Sequence, residues 1–216
     1  MTKLAFAAAP PVTLPIAGSD ERFPVRRVYC VGRNYNEHVK EMGGVVGRDP
    51  PFFFSKPAGA LVTDGRFPYP PKTSDVHHEV ELVVALGPDA QIFAHAVGLD
   101  MTRRDLQAEA KKLGRPWETA KGFEHSAPIG LLHRASAPLT AGAITLDVNG
   151  QRRQTGDIAE MIWSVAEIIA SLKEFFDPQA GDVIFTGTPS GVAAVQKGDK
   201  LHAEIAGLTA LDVTVT

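Results

Sequence analysis

The sequence predicts an α+β fold that is rich in β-strand and has a largely antiparallel or mixed sheet. Short apolar, β-branched segments bounded by Gly and Pro outnumber the amphipathic helices. The two kinds of segment do not alternate regularly, as they do in a doubly wound sheet. A length of 216 residues suits one domain with a sizeable core. We expect residues 1–25, which are rich in Ala and Pro, to form an extended N-terminal arm, and residues 26–216 to form a single domain.

Hydrophobic periodicity and turn residues predict each element in turn. Strands are predicted at 27–31, 52–54, 77–86, 91–99, 144–148, 151–154, 182–186, 200–205 and 209–216, with Asn149-Gly150 as a hairpin turn. Helices are predicted at 34–42 with Asn34 as the N-cap, at 102–113 and at 157–176.

Composition excludes several classes of function. The formal net charge of −3 gives no basic surface for nucleic acid, and no apolar segment is long enough to span a membrane. The single cysteine, Cys30, excludes an internal disulfide and fits a reducing compartment, and its apolar neighbours favour a buried thiol. The N-terminal apolar run is too short for a secretory signal. We therefore expect a cytoplasmic protein.

Two acidic residues stand in the apolar strand predicted at 77–86. Side chains alternate along a strand, so Glu79 and Glu81 share one face with Val83 and Ala85. Like charges on so apolar a strand repel each other and lose hydration, which calls for a compensating group. A hard divalent cation held by carboxylates is one answer. The alternative is an edge strand with both Glu side chains in water.

Other polar residues are candidates for a site, each with a plainer alternative. Asp100 closes the strand 91–99 and offers a third oxygen ligand, or it caps the helix that follows. His38 and Glu41, three apart on a short helix, form a His–carboxylate base or a solvated polar face. Lys121 precedes a glycine and is either an electrophile or a surface lysine at a turn. We expect His77 and His78 to support or pack rather than bind metal.

Six segments together resemble the fumarylacetoacetate hydrolase superfamily, and the resemblance runs from Val31 to the C-terminus. They are Val31-Gly32-Arg33-Asn34-Tyr35, His78-Glu79-Val80-Glu81-Leu82, Asp100-Met101-Thr102-Arg103-Arg104-Asp105-Leu106-Gln107, Ala120-Lys121-Gly122-Phe123, Val148-Asn149-Gly150 and Gly181-Asp182-Val183-Ile184-Phe185-Thr186-Gly187-Thr188-Pro189-Ser190-Gly191. The resemblance implies a mixed β-sandwich roll, and a homodimer with a place in aromatic catabolism.

The resemblance also assigns roles to individual residues. It implies a Mg²⁺ or Mn²⁺ site and the acylpyruvate/fumarylpyruvate hydrolase branch of the superfamily. The implied metal ligands are Glu79, Glu81 and Asp100. The implied catalytic residues are His38, Glu41, Lys121 and Gln107, and the implied substrate-binding residues are Arg33, Arg104 and Thr188. Residues 124–131 and Ala193 depart from the family pattern, so we expect substrate choice to depend on this region.

The implied substrate is a small 2,4-dioxo acid. Attack by water on its distal carbonyl and cleavage of a carbon–carbon bond give pyruvate and a carboxylic acid. The same site suits oxaloacetate decarboxylation or isomerisation of a hydroxymuconate-type diacid. A non-catalytic, metal-binding β-domain is also possible, and it assigns no role to His38 and Glu41.

Overall fold

A computed structural model of the protein describes residues 3–216. Its α-helices are α1 Asn36–Glu41, α2 Arg104–Leu113, α3 Glu118–Lys121 and α4 Val165–Phe175. Single 3₁₀ turns lie at Ala58–Ala60, Pro88–Ala90 and Ile158–Glu160. The strands are β1 Thr13–Pro15, β2 Arg22–Pro24, β3 Arg27–Gly32, β4 Phe52–Lys56, β5 Leu61–Val62, β6 Arg66–Phe67, β7 Val76–His77, β8 Val80–Leu86, β9 Ile92–Leu99, β10 Thr102–Arg103, β11 Ala127–Pro128, β12 His133–Arg134, β13 Ala143–Val148, β14 Gln151–Asp157, β15 Asp182–Phe185, β16 Ala194–Val195, β17 Lys200–Ile205 and β18 Leu211–Val215.

Two large sheets dominate the fold. The six-stranded sheet has the order β12-β9-β8-β15-β3-β4, and the five-stranded sheet has the order β14-β13-β17-β18-β6. Most pairs are antiparallel, but β15 runs parallel to β3 and β18 runs parallel to β6. The predicted strand-rich α+β class with a mixed sheet is therefore confirmed.

The core lies on both faces of the six-stranded sheet. On one face, Val80, Leu82, Val84 and Leu86 of β8 pack into the cluster that also contains the buried residues of β13, β17 and β18. On the opposite face, Val83 and Ala85 join a second buried cluster with residues of β1, β2 and β3. Burial on both faces explains why every residue of β8 except Glu81 is apolar.

The N-terminal segment differs from the expected extended arm. β1 and β2 pair antiparallel, and Leu14, Ile16 and Phe23 are buried against the six-stranded sheet. These three apolar side chains cover one face of that sheet, so burial holds the segment in place. Residues 1–2 of the expected arm lie outside the described residues. The boundary at residue 25 stays a prediction.

Three predicted elements have different bounds. The strand predicted at 77–86 breaks after His77, because the side chain of Gln154 binds both His78 and the Val80 amide between β7 and β8. The helix predicted from residue 102 begins at Arg104, since β10 pairs with β7. The long helix predicted at 157–176 is a 3₁₀ turn followed by α4, each begun by its own capping box, at Asp157 and at Ser164.

Asn34 does not cap α1, whose N-cap position is Tyr35. Its side chain is fully buried and bonds to Trp163 and Thr186 instead. In contrast, the predicted burial of Cys30 is confirmed, and burial raises the pKa of its thiol well above the usual value. Among residues 3–216, no helix is long and apolar enough to cross a membrane.

Candidate active site

Three buried carboxylates meet where β8 begins and β9 ends. The antiparallel register pairs Val80 with Leu99 and Glu81 with Gly98, which sets Asp100 beside Glu79. The Asp100 amide donates to the Glu79 carbonyl at 2.9 Å. One carboxylate oxygen from each of Glu79, Glu81 and Asp100 lies within 4.8 Å of the others. Asp100 is therefore not the cap of α2, which begins after Arg103.

Three cations surround this cluster. Lys121 Nζ donates to Glu79 Oε2 at 2.8 Å and to Asp100 Oδ2 at 2.6 Å. Arg104 binds Glu79 Oε1 at 2.6 Å, and Lys56 Nζ lies 2.8 Å from Asp100 Oδ1. Burial by itself would raise the pKa of Glu79, but Lys121 and Arg104 outweigh it and lower that pKa. Lys121 is thus a buried ion-pair residue and not a surface lysine at a turn.

Glu81 is the carboxylate whose negative charge has the least positive charge beside it. Its Oε2 accepts a hydrogen bond from the Gly187 amide at 2.8 Å, and within residues 3–216 no cationic side chain forms an ion pair with it. Burial and the charges of Asp100 and Glu79 raise its pKa well above the usual range. The cluster therefore lacks positive charge at this carboxylate.

The residues present fit a divalent cation. Three oxygen-donor side chains on rigid strand ends match the preference of Mg²⁺ and Mn²⁺ for carboxylate ligands. The buried Asp100 Oδ1 has no well-aligned hydrogen-bond donor among the described residues, even though Lys56 is close by. A cation between these carboxylates would relieve the repulsion that acts on Glu81.

The three carboxylates line a pocket that His38 lines as well, and Glu41 contacts His38. His38 Nδ1 is 3.1 Å from Glu41 Oε2, and Glu41 Oε1 accepts from the Gly191 amide at 2.9 Å. Partial burial opposes ionisation of Glu41, but its contacts with His38 and Gly191 lower its pKa overall. An ionised carboxylate only accepts hydrogen bonds, so we assign the proton to His38 Nδ1, which leaves Nε2 as a free base. His38 is buried, which disagrees with a solvated polar face.

The other candidates from the sequence also line this pocket. Arg104 donates to Gln107 Oε1 at 2.8 Å, and both residues are on the inner face of α2. Thr188 is buried and accepts from Gln154 at 2.8 Å. Arg33 lines the pocket with a positive φ of 59°. Of the described residues 124–131, in contrast, none lines the pocket, and Ser126 lies behind it, where its hydroxyl donates to the Lys121 carbonyl and accepts from Lys56 Nζ.

His77 and His78 lie away from the carboxylates. His77 is on β7 in a separate small sheet and contacts Asp75 at 3.0 Å. His78 is fully buried and contacts Gln154 Oε1 at 2.9 Å. Within the described chain, the three-carboxylate cluster contains neither histidine, which agrees with the expectation that both support or pack.

Sequence reasoning missed several residues of the site. Lys56 is the one charged residue of the aromatic strand β4, and no local pattern marks it as a residue of the site. Thr102 accepts from Lys121 Nζ at 2.6 Å, so it takes the third N–H of that ammonium. Lys111 and Trp117 line the pocket as well, and Lys111 follows Arg104 and Gln107 at helical spacing.

Comparison with known proteins decides the family. Residues 27–216 match the family model described as Fumarylacetoacetate (FAA) hydrolase C-terminal. The chain belongs to this family. The predicted resemblance is thereby confirmed, and the family match covers both large sheets and every residue of the pocket.

Similar members of the fumarylacetoacetate hydrolase family have several names. A fumarylpyruvate hydrolase from Pseudomonas aeruginosa, solved in complex with Mn²⁺ and pyruvate, superposes with a TM-score of 0.96 at 47% identity, over 99% of this chain and 99% of that one. A fumarylpyruvate hydrolase from Ralstonia sp. is 42% identical over 76% of this chain and 92% of its own length. An oxaloacetate tautomerase from Escherichia coli is also 42% identical, over 86% of this chain and 90% of its own length.

Proposed function

We propose that this protein is a metal-dependent enzyme that hydrolyses a carbon–carbon bond in a 2,4-dioxo acid. The substrate is fumarylpyruvate or another acylpyruvate, and the products are pyruvate and a carboxylic acid. One observation carries the proposal: a three-carboxylate cluster lines the same pocket as His38, and His38 is oriented by Glu41. A metal-binding domain without catalysis has no use for that pair. The similarity to two fumarylpyruvate hydrolases supports the same reaction.

Glu79, Glu81 and Asp100 would hold the metal, which we infer to be Mg²⁺ or Mn²⁺. When bound, the metal supplies a Lewis acid that favours negative charge on the pyruvate half of the substrate. The buried Lys121 and Lys56 and the partly buried Arg104 hold Glu79 and Asp100 in position through ion pairs. Thr188 and Arg104 are proposed to contact the substrate carboxylate beside the cluster, and Arg33 is proposed to contact the acyl half of the substrate.

His38 and Glu41 are proposed to activate water. His38 Nε2 takes a proton from a water molecule, whose oxygen attacks the C4 carbonyl, and Glu41 stabilises the resulting imidazolium. The C3–C4 bond then breaks, and its electron pair remains on the pyruvate half. His38 returns the proton to C3, which gives the methyl group of pyruvate. The net change is addition of one water across the bond that breaks.

Gln107 and Lys121 are proposed to stabilise the oxygen at C4 as it becomes negative. Gln107 Oε1 is occupied by Arg104, and its Nε2 group has no acceptor among the described residues, so it is available to donate. The Lys121 ammonium already donates to Glu79, Asp100 and Thr102. It can reach the substrate oxygen only by exchanging one of these three bonds.

A second candidate reaction is oxaloacetate tautomerisation, which the 42% identity with the Escherichia coli tautomerase favours. This reaction moves a proton between C3 and the C2 oxygen and needs no attack by water. His38 could shuttle that proton. Decarboxylation of oxaloacetate and hydroxymuconate-type isomerisation also need the carboxylate cluster, and neither reaction breaks a bond to an acyl group.

A substrate panel separates these reactions. Purified protein with Mg²⁺ or Mn²⁺ is mixed with fumarylpyruvate, acetylpyruvate or oxaloacetate, and pyruvate, the released acid, CO₂ and the enol absorbance are followed separately. We expect pyruvate and fumarate in equal amounts from fumarylpyruvate. Rapid loss of the oxaloacetate enol without pyruvate release from either acylpyruvate would establish the tautomerase instead.

We further propose a homodimer that acts in the cytoplasm on products of aromatic catabolism. The dimer and the role in catabolism rest on the family membership, and the cytoplasmic location rests on the single buried cysteine. Light scattering of the purified protein tests the dimer, because a monomeric mass at assay concentration contradicts it.

A further inference from the structure

The outer part of the pocket carries positive charge that the proposed reaction centre does not use. Arg104, Gln107 and Lys111 occupy positions i, i+3 and i+7 of α2, so they lie on one face of that helix, and all three line the pocket. Arg104 and Gln107 bind each other, and Arg104 also binds Glu79. Among residues 3–216, no carboxylate lies within ion-pair distance of Lys111 or of Arg33.

An aromatic wall connects the reaction centre with Lys111. Lys121 Nζ lies 5.2 Å from the centroid of the Phe54 ring, and the Phe54 and Trp117 centroids are 5.9 Å apart. At the far side of this wall, Lys111 Nζ lies 5.3 Å from the centroid of the Trp117 ring. Phe52 stands edge-on to Trp117 at 5.3 Å. A flat, conjugated acyl chain fits along such a surface.

The surroundings of Lys111 disfavour its positive charge. Partial burial and the positive charges of Arg104 and Arg33 lower the pKa of its ammonium to about 8. Arg33 is also held at a backbone φ of 59°, a left-handed conformation that is strained for a residue with a side chain. A strained arginine beside an unpaired lysine, both at one pocket mouth, points to an anionic group that arrives with the substrate.

The charges of the pocket residues also favour a substrate with two anionic groups. Glu79, Glu81 and Asp100 carry three negative charges when ionised, and Lys56, Lys121 and Arg104 carry three positive ones, although all of their ion pairs are with Glu79 and Asp100. A divalent metal then makes the centre positive, and Arg33 and Lys111 add two further charges at the mouth. A substrate with a single carboxylate leaves most of this positive charge unpaired. A substrate with a carboxylate at each end compensates for it at both places.

We propose that Lys111, seated on Trp117 and assisted by Arg33, binds a carboxylate at the far end of the acyl group and so selects dicarboxylic substrates. This inference rests on the proposed function, because it names the class of acyl group that the same site accepts. Lys111 is then a specificity-determining residue. It contacts the part of the substrate that does not react.

The test compares Lys111→Met with Lys112→Met. The two lysines are neighbours on α2, but Lys112 does not line the pocket. For Lys111→Met we expect kcat/KM on fumarylpyruvate to fall by about 10- to 100-fold, mainly through KM, because one charge-assisted contact is lost. Activity on acetylpyruvate should stay within about 2-fold. Lys112→Met should leave both substrates unchanged. An equal fall on both substrates, or no change on fumarylpyruvate, would overturn the proposal.

A binding measurement tests the role of Lys111 independently of catalysis. The Mn²⁺-loaded protein is titrated with 2-oxoheptanedioate and with 2-oxoheptanoate, two acids of equal chain length of which only the first has a distal carboxylate. We expect the wild-type protein to prefer the diacid by about 10-fold or more, and Lys111→Met to lose that preference. If neither acylpyruvate is hydrolysed but this preference exists and depends on Lys111, the proposed function fails and the inference stands. Equal binding of both acids by the wild-type protein would refute it.

Arg33→Gly is a second variant, in which we expect stability to be kept although substrate preference is weakened. Glycine accepts a positive φ without strain, so the unfolding midpoint should not fall. The preference for the diacid should nevertheless decrease. A variant that keeps the full preference would remove Arg33 from the proposal.

Discussion

At the scale of single residues, the proposed base depends on how Glu41 is held. Its two oxygens have different partners, His38 on one side and the Gly191 amide on the other, and these contacts lower the pKa of the carboxyl group. Glu41 therefore stays ionised through the neutral range and keeps the His38 proton on Nδ1. A carboxylate so fixed orients the imidazole before any substrate binds.

Glu41→Gln tests this pair. The amide removes the negative charge that stabilises an imidazolium, so kcat for acylpyruvate hydrolysis should fall by about 100-fold or more, with metal affinity unchanged. Steady-state kinetics and a metal titration measure the two effects. Glu37→Gln is the control, because Glu37 is exposed on the same helix and, among residues 3–216, pairs only with Lys40. Unchanged hydrolysis in Glu41→Gln would contradict the assigned base.

At the scale of elements, Asn34 links the start of α1 to two other segments. Its Nδ2 donates to the carbonyls of Trp163 at 2.9 Å and Thr186 at 2.8 Å, and its Oδ1 accepts from the Trp163 amide at 2.7 Å. Gly187 approaches so closely that a Cβ there would lie 2.6 Å from the Asn34 Cβ. Asn34 thereby fixes the helix that carries His38 against the end of β15.

Asn34→Leu should destabilise the fold by about 2–3 kcal/mol. Leucine has a similar shape, but it leaves three backbone groups without their partner. Urea unfolding of the variant measures this loss. Asn36→Ala is the matched control, since Asn36 is exposed at the start of α1 and its substitution should change stability little. If both variants unfold at the same urea concentration as the wild-type protein, Asn34 does not hold these segments.

The same elements show what local sequence patterns can predict. Alternation placed Glu79 and Glu81 on one face, and helical spacing brought His38 and Glu41 together, because both are local rules. The Asn34 cap was wrong because its real partners are 129 and 152 residues away along the chain. Lys56 was missed for a similar reason: its contact with Asp100 depends on sheet order, which no local pattern encodes.

At the scale of the whole molecule, non-local pairing builds the site. β15 lies between β8 and β3 in the six-stranded sheet, although these strands are far apart in sequence. That order brings the Gly187 amide after β15 to Glu81 on β8, and it brings β4 with Lys56 to the same edge. The strand-rich class was predictable from composition and periodicity. The order of the strands, and with it the set of cations around the carboxylates, was not.

The whole fold therefore concentrates negative charge at a place that a divalent cation is suited to fill. Glu81 is the carboxylate that most needs this cation, because burial and its two acidic neighbours raise its pKa. Glu81→Gln replaces a negatively charged carboxylate ligand with a neutral, weaker amide oxygen while preserving the shape of the side chain. This variant is consequently the sharpest probe of the proposed metal centre.

The most direct test is pyruvate release from fumarylpyruvate, measured against Mg²⁺ or Mn²⁺ concentration for the wild-type protein and for Glu81→Gln, with unfolding midpoints taken to show that both are folded. We expect turnover by the wild-type protein to rise with metal and to vanish after chelation. Glu81→Gln should lose at least about 100-fold of this activity while remaining folded. Metal-independent hydrolysis by the wild-type protein, or full activity in Glu81→Gln, would contradict a metal-dependent hydrolase.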